Sequence, residues 1–317
     1  MSELELLTIG RVSVDLYAEQ LGVPLAEVGS FAKSIGGSPT NVAVAASRLG
    51  RRTAVVTAVG ADDFGDFVRG KLAEFGVDTS YVGSDSRHRT PLAFAVMDPP
   101  EDPQLIFYRE PSAPDEHIEL TEQLVDAAQA ADMFWVAASC LAGRSTGPTA
   151  RAMLAARERR SGTAIDLDYR PTMWSSEETA RAEIGAAIAE ASIAVGNRRE
   201  CEVAVGSSDP DTAADELLAR GVELAVVKLG AEGVLVATPR DRTRVDVVPV
   251  KVVCGLGAGD GFGGALCHRL LAGDDPVSAV RFANAAGAIV ASRLLCADAM
   301  PTVDEVDSLL ESSHVGA

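Results

Sequence analysis

Short apolar runs alternate with helically patterned segments along most of this chain, and that alternation limits the fold more than any other feature. Residues 4–9, 53–59, 133–137, 163–167, 192–195 and 223–227 read as buried strands. Between them, residues 40–49, 63–75, 121–131, 146–160, 177–190 and 212–220 carry helical spacing and polar caps. This alternation predicts an α/β fold, with a central, mostly parallel sheet flanked by helices. Residues 12–35 and 81–109 break the pattern with strand-like pieces and no helix between them. Within the second, 92–97 and 104–109 flank the turn-rich Asp98-Pro-Pro-Glu-Asp-Pro, a hairpin signal. The two regions are expected to pair into a small second sheet, a lid or a subunit interface. Residues 260–310 read as mainly helical, and no repeat or Pro/Ser-rich linker divides the 317 residues, so a single domain is expected.

Charge narrows the partners. With 28 basic against 46 acidic residues the net charge is −18, a surface that repels nucleic-acid phosphates and anionic lipid headgroups. An acidic substrate therefore needs its own local positive pocket. Five cysteines without CxxC spacing and four histidines without HExxH argue against a zinc site or a disulfide framework. The N-terminus has no signal-peptide pattern, and the longest apolar stretch, 282–295, is interrupted by Asn284, Ser292 and Arg293. A soluble, cytoplasmic protein is expected.

The densest glycine segment is Cys254-Gly-Leu-Gly-Ala-Gly-Asp-Gly-Phe-Gly-Gly, between the apolar run 245–253 and a helix starting near Asp260. Small residues at Gly257, Ala258 and Gly259 let backbone N–H groups approach a ligand, and the helix start adds its positive dipole end. Asp260 at the mouth of that anion hole would repel a permanently bound phosphate. It suits a base that takes a proton from a substrate hydroxyl attacking a phosphoryl group. The plain alternative is an Asp N-cap after a glycine turn. The segment also holds a literal GxGxxG at 259–264, but a second helical pattern follows it where a dinucleotide fold needs a strand. There is no GxxxxGK[ST], which excludes a P-loop ATPase.

Gly36-Gly-Ser-Pro-Thr-Asn41 leads into the helix pattern VAVAASRLG. Ser38 or Thr40 as the cap and Gly50 as the stop explain it structurally. A Gly-Gly turn against a polyol, with Asn41 bonding hydroxyls, explains it functionally. Asp15 interrupts a strand-like run and suits the same use, or is an edge-strand acid. Lys228-Leu-Gly-Ala-Glu-Gly233 is by itself a turn between strands. Asn197 and Glu200 fit a capping box, or orient magnesium-bound water. Arg109 and Arg170 each follow an apolar run, and in so acidic a chain they are natural seats for a carboxylate.

In this order, Asp15, GGSPTN, NRRE, KLGAEG, GAGD and FANAAGA resemble the ribokinase/PfkB family of carbohydrate kinases from Ile9 to about Leu310. The resemblance implies a ribokinase-like fold with a small β lid that often makes the dimer interface. It implies ATP and Mg²⁺ as cofactors and Asp260 as catalytic base, with Gly257, Ala258 and Gly259 as the anion hole. Asp15, Gly36, Gly37 and Asn41 would hold sugar hydroxyls. Lys228, Gly230, Gly233 and Asn284 would lie along the nucleotide, with Asn197 and Glu200 near its phosphates and magnesium, Glu200 through water.

IGRVSVDLY, FYRE, DLDYRPTMW and CADAMPT resemble in particular the 5-dehydro-2-deoxygluconokinases of inositol catabolism, and the YR and RPxxW features are shared with 2-keto-3-deoxygluconate kinases. Both act on deoxy keto acids, so Arg109 and Arg170 would hold carboxylate or keto oxygens. Other sugar kinases of the fructokinase or ribokinase type are the nearest alternative. Many members have Asp-Thr before GAGD, associated with a monovalent-cation site. Here Cys254-Gly255-Leu256 stands instead, which leaves K⁺ to backbone carbonyls at most. From other classes, an NAD(P)-dependent oxidoreductase rests only on the GxGxxG. A non-catalytic sugar-binding protein would have no use for Asp260.

Overall fold

Parallel strands need long crossovers, and the helical segments supply them. The computed structural model describes residues 4–99 and 103–315. Its strands are β1 (Leu6–Ile9), β2 (Ser13–Ala18), β3 (Phe31–Gly36), β4 (Thr53–Gly60), β5 (Val82–Asp85), β6 (Leu92–Val96), β7 (Gln104–Tyr108), β8 (Met133–Ala137), β9 (Thr163–Asp166), β10 (Ile193–Asn197), β11 (Leu224–Lys228), β12 (Val234–Ala237) and β13 (Arg242–Val245). Its helices are α1 (Ser38–Arg48), α2 (Asp63–Glu74), α3 (Glu122–Ala130), α4 (Thr146–Ala155), α5 (Glu177–Ile188), α6 (Arg198–Val205), α7 (Pro210–Ala219), α8 (Ala258–Leu271), α9 (Pro276–Ala291) and α10 (Val303–Val315).

Nine strands form the central sheet in the order β13-β12-β11-β10-β9-β8-β1-β4-β5. From β5 to β11 neighbours run parallel, and only β12 and β13 turn back antiparallel. Both faces are covered, which is why β1, β4 and β8 are buried at every residue and read as continuous apolar runs. On one face α1 and α8 pack closely around Trp135. A Cβ on Gly263 would come within 3.0 Å of that indole, and one on Gly264 within 2.4 Å of the Ala45 methyl. Within the literal GxGxxG, Gly261 (a Cβ 2.7 Å from Val290) and Gly264 serve helix packing inside α8, and the segment after them is α9 rather than a strand.

The second sheet is the expected lid, ordered β3-β2-β6-β7. β6 and β7 form the expected hairpin, with residues 100–102 of its turn outside the described residues. The region 81–109 does not belong wholly to the lid. β5 returns through α2 to pair parallel with β4 at the edge of the central sheet, as a crossover dictates. The helix expected over 146–160 ends at Ala155, because Glu158 and Arg159 take left-handed backbone angles and turn the chain toward β9. The apolar run 245–253 leaves the sheet after its first residue and continues irregularly to α8.

Candidate active site

The chain leaves β1 toward β4 on one side and later adds β8 on the other, so the β1–β8 seam is the topological switch point of the sheet. Ligands of such sheets bind beyond the carboxyl ends of the strands at that seam. Here β1 ends into Gly10-Arg11, β8 into Ser139, β9 into Asp168 and Arg170, and β10 and β11 into Asn197 and Lys228. The lid lies over this edge and presents alternate residues inward, Asp15 and Tyr17 from β2, Ala93 from β6, Leu105 and Phe107 from β7.

Asp260 sits in the pocket beneath the lid with Asp15, Gly37, Asn41, Arg170 and Gly257. It is the third residue of α8, whose N-cap is Gly257 in a left-handed conformation, φ +78°. The carboxylate caps nothing. It accepts a hydrogen bond from Asn41 Nδ2 at 2.8 Å across the pocket, which removes the N-cap explanation. Burial raises its pKa, and the Asn41 bond opposes that rise. The N–H groups of Ala258 and Gly259, in the first turn, have no partner within the helix and carry its positive dipole end. A base beside an anion hole is the arrangement a phosphoryl acceptor hydroxyl needs.

Asp15 is no edge acid. β2 lies inside the lid sheet, and the side chain accepts from Ser13 Oγ at 2.6 Å and from Tyr17 OH at 3.4 Å. Burial pushes its pKa up to about 6. Gly36 makes room for it, since a Cβ there would meet Asp15 Oδ2 at 1.9 Å. Gly37, at φ +103°, is the N-cap of α1, and a Cβ on it would meet the Arg11 carbonyl oxygen at 2.2 Å. Neither Ser38 nor Thr40 caps that helix. Thr40 Oγ1 donates instead to Arg11 O, while Asn41 Oδ1 is buried without a partner among the described residues.

The two arginines singled out by sequence part company. Arg170 enters the pocket. Its Nε donates to Asp168 Oδ1 at 2.9 Å, and its two terminal nitrogens donate to no described residue. Arg109 stays outside, with Nη2 bound to Asp115 Oδ1 at 2.5 Å and to Glu116 Oε1 at 3.2 Å. Asp115 Oδ2 accepts from Val12 N, so Arg109 anchors the lid hairpin to the strap between β1 and β2. It borders a neighbouring cavity of about 480 Å³. Sequence reasoning missed Arg11, which lines both spaces. The available signal was a basic residue directly after a wholly apolar strand.

Asn197 and Lys228, two of the residues expected along the nucleotide, stand opposite each other at the ends of β10 and β11. Asn197 and Glu200 do form the capping box of α6, which leaves Glu200 Oε1 and Asn197 Nδ2 for other partners. Lys228 reaches toward α8, where a Cβ on Gly259 would lie 3.4 Å from its Nζ. Burial lowers the ammonium's pKa, but Asp166, Glu200 and Asp260 outweigh that and raise it. Buried Asp166, at the end of β9, was also missed; the pattern of the strand hides an acid inside an apolar run. Gly230 and Gly233 form the β11–β12 turn with φ +62° and +90°, and the second has no room for a Cβ beside Val245 O. Asn284 on α9 donates to Asp246 O, holding the segment that leads to α8. Among the described residues no three His, Cys, Asp or Glu side chains converge to hold a metal directly.

Residues 3–303 match the pfkB family of carbohydrate kinases. A 5-dehydro-2-deoxygluconokinase of Shouchella clausii is 32% identical over 320 residues, covering 99% of this chain and 97% of its own. One from Photobacterium profundum is 33% identical over 322 residues, with 98% and 95% covered. Among solved structures, a PfkB protein from Polaromonas sp. JS666 superposes with TM-score 0.81 at 28% identity, over 93% of this chain and 98% of its own. A fructokinase double mutant from Vibrio cholerae O395, with fructose, ADP and potassium bound, gives 0.83 at 26% identity over 98% and 99%. This chain belongs to the pfkB family of carbohydrate kinases, the ATP-dependent phosphotransferases that phosphorylate a sugar hydroxyl.

Proposed function

We propose that this kinase phosphorylates a hydroxyl of a small sugar acid, 5-dehydro-2-deoxy-D-gluconate. The observation that carries the reading is a carboxylate and an arginine with open donors in one pocket: Asp260 at the head of α8, and Arg170, whose Nε is held by Asp168 while its terminal nitrogens donate to no described residue. In a chain of net charge −18, an arginine with two open donor nitrogens at a cleft matches an anionic ligand. The names of the relatives from Shouchella and Photobacterium point to the same substrate.

In this reading Asp15, Gly36, Gly37 and Asn41 seat the hydroxyls, and Asp260 takes the proton of the attacking one. The α8 N-terminus faces the charge that develops on the phosphoryl oxygens. Lys228, Gly230 and Gly233 lie along ATP, and Asn284 steadies the segment beside it. Asn197 and Glu200 would reach the water shell of Mg²⁺, which when bound with ATP would neutralise phosphate charge. Buried, neutral Cys254 stands before the anion hole, so K⁺, bound in the Vibrio fructokinase, is not assigned a role here. The lid and the sheet act as one kinase domain over 1–317, and two copies pair through the outer lid face.

The test is a coupled ADP-release assay with ATP and Mg²⁺ against 5-dehydro-2-deoxygluconate, 2-keto-3-deoxygluconate, fructose, ribose and adenosine. A clear preference for the first supports the reading. Preference for a neutral sugar or nucleoside keeps the kinase and Asp260 but removes the carboxylate role of Arg170.

A further inference from the structure

Arg11 is a buried cation that the reaction as described leaves unused. It crosses from the end of β1 into the lid, and its guanidinium forms the shared wall of the Asp260 pocket and the neighbouring cavity of about 480 Å³. Nε donates to Ser139 Oγ at 3.1 Å and Nη2 to Asp168 Oδ2 at 3.1 Å, while Nη1 donates to no described residue. Phe107 of the lid lies 5.9 Å from the guanidinium carbon.

Its partner is already spoken for. Asp168 Oδ1 takes Arg170 Nε at 2.9 Å, and Oδ2 takes Ser139 Oγ at 2.5 Å as well as Arg11. Burial alone would raise the Asp168 pKa, yet Arg170 and Arg11 together hold it well below the usual carboxylate range. One carboxylate thus serves two guanidiniums, and their remaining donors, Arg11 Nη1 and the terminal nitrogens of Arg170, stay open to a ligand carboxylate. The acids across the pocket, Asp15 and Asp260, take their hydrogen bonds from Ser13, Tyr17 and Asn41 rather than from either arginine. Arg109 does not share this role, because Asp115 and Glu116 hold its fork.

We infer that Arg11, with Arg170, recognises the carboxylate of the substrate, and that Asp168 and Ser139 orient the pair. The inference rests on the sugar-acid reading above and adds a specificity residue to it. The Asp260 pocket and the larger cavity share Arg11, Leu105 and Phe107 in their linings, so a chain with its reacting hydroxyl at Asp260 can run its acid end past Arg11. Arg11 thereby reads the end of the substrate opposite the reacting hydroxyl. Its loss should spare the chemical step.

The experiment compares 5-dehydro-2-deoxygluconate with its methyl ester, which keeps the chain and removes the charge, in wild type, Arg11→Gln, Arg11→Lys and Arg170→Gln. A charge-assisted hydrogen bond predicts that R11Q raises KM for the acid by about 10- to 100-fold. The KM values for ester and ATP, and kcat, should change by less than about threefold. Equal rises for acid and ester would show that Arg11 only props the lid, and would overturn the inference. If R11Q does not fold, R11K decides: it keeps the charge beside Asp168 without the fork, so the acid-over-ester preference should fall, and an unchanged preference refutes the role. Wild type without any preference for the acid overturns the sugar-acid reading and Arg11 with it. A preference lost in R170Q but intact in R11Q overturns Arg11 alone.

Discussion

Asp15→Asn should make the unliganded enzyme more stable while weakening its grip on sugar. Asp15 is 6% exposed, and burial is the main cause of a pKa of about 6 against 3.8 for a free carboxyl. That difference of about 2 units, at about 1.4 kcal/mol each, means that the ionised group costs the empty fold ~3 kcal/mol near neutrality. The folded value lies above the unfolded one, so the native chain holds the proton more tightly. Stability from this group is full below about pH 4, is lost as pH rises toward 6, and stays lost above it. Asparagine keeps an acceptor for Ser13 and Tyr17 and removes the charge. Denaturant unfolding without ligand should therefore show D15N more stable than wild type by ~3 kcal/mol at pH 7.5, and by less than about 1 kcal/mol near pH 4. The sugar KM should rise at least about tenfold at pH 7.5, because a charged acceptor for a hydroxyl is gone. A D15N chain no more stable at pH 7.5, or one whose gain does not change with pH, refutes the reasoning.

Asp260→Asn should lower kcat by roughly 10²- to 10⁴-fold with the KM for ATP nearly unchanged, and near-normal turnover would end its assignment as base. Because burial raises the Asp260 pKa, and a base must be ionised, kcat should rise with pH on a limb displaced above the ordinary carboxylate range and absent in D260N. Gly37→Ala should cost more than Gly22→Ala: both glycines have positive φ, but only at 37 would a Cβ meet backbone, the Arg11 carbonyl at 2.2 Å. The second is expected to lose about 1 kcal/mol and the first several, read as thermal midpoints; equal losses would show that the strap beneath the lid yields. On the outer lid face Tyr108 is 60% and Ile106 38% exposed, with Phe31, Phe94 and Tyr108 in edge-on contact. Sedimentation should find a dimer that Tyr108→Glu splits, and a wild-type monomer at micromolar concentration removes the pairing.

The α/β architecture was legible because periodicity is local: a strand buried on both faces must be apolar throughout, as β4 is, and a crossover helix must show its stripe. Boundaries blurred where local signals tie, as at Ala155, where two non-glycine residues in left-handed conformations end a helix that the spacing alone would continue. The catalytic segment was readable because small residues before an acid at a helix start are unusual without a ligand to approach. Of its two explanations, cap or base, the structure removes the cap, because the carboxylate bonds Asn41 across the pocket and not the helix backbone.

From sequence alone came the chemistry available to this protein: a glycine-lined helix start with Asp260, a lid of short strands, and arginines in an acidic chain that imply an anion. Which arginine keeps open donors was a matter of tertiary structure. Arg109 and Arg170 look alike in one dimension, each following an apolar run, yet Arg109 meets Asp115 and Glu116 while Arg170 keeps its fork free. Arg11 gains its place only because β1, β8 and β9 lie side by side and bring Ser139 and Asp168 to it from 128 and 157 residues away. The sign and fate of a buried charge depend on its partners, and partners this distant are chosen by the fold.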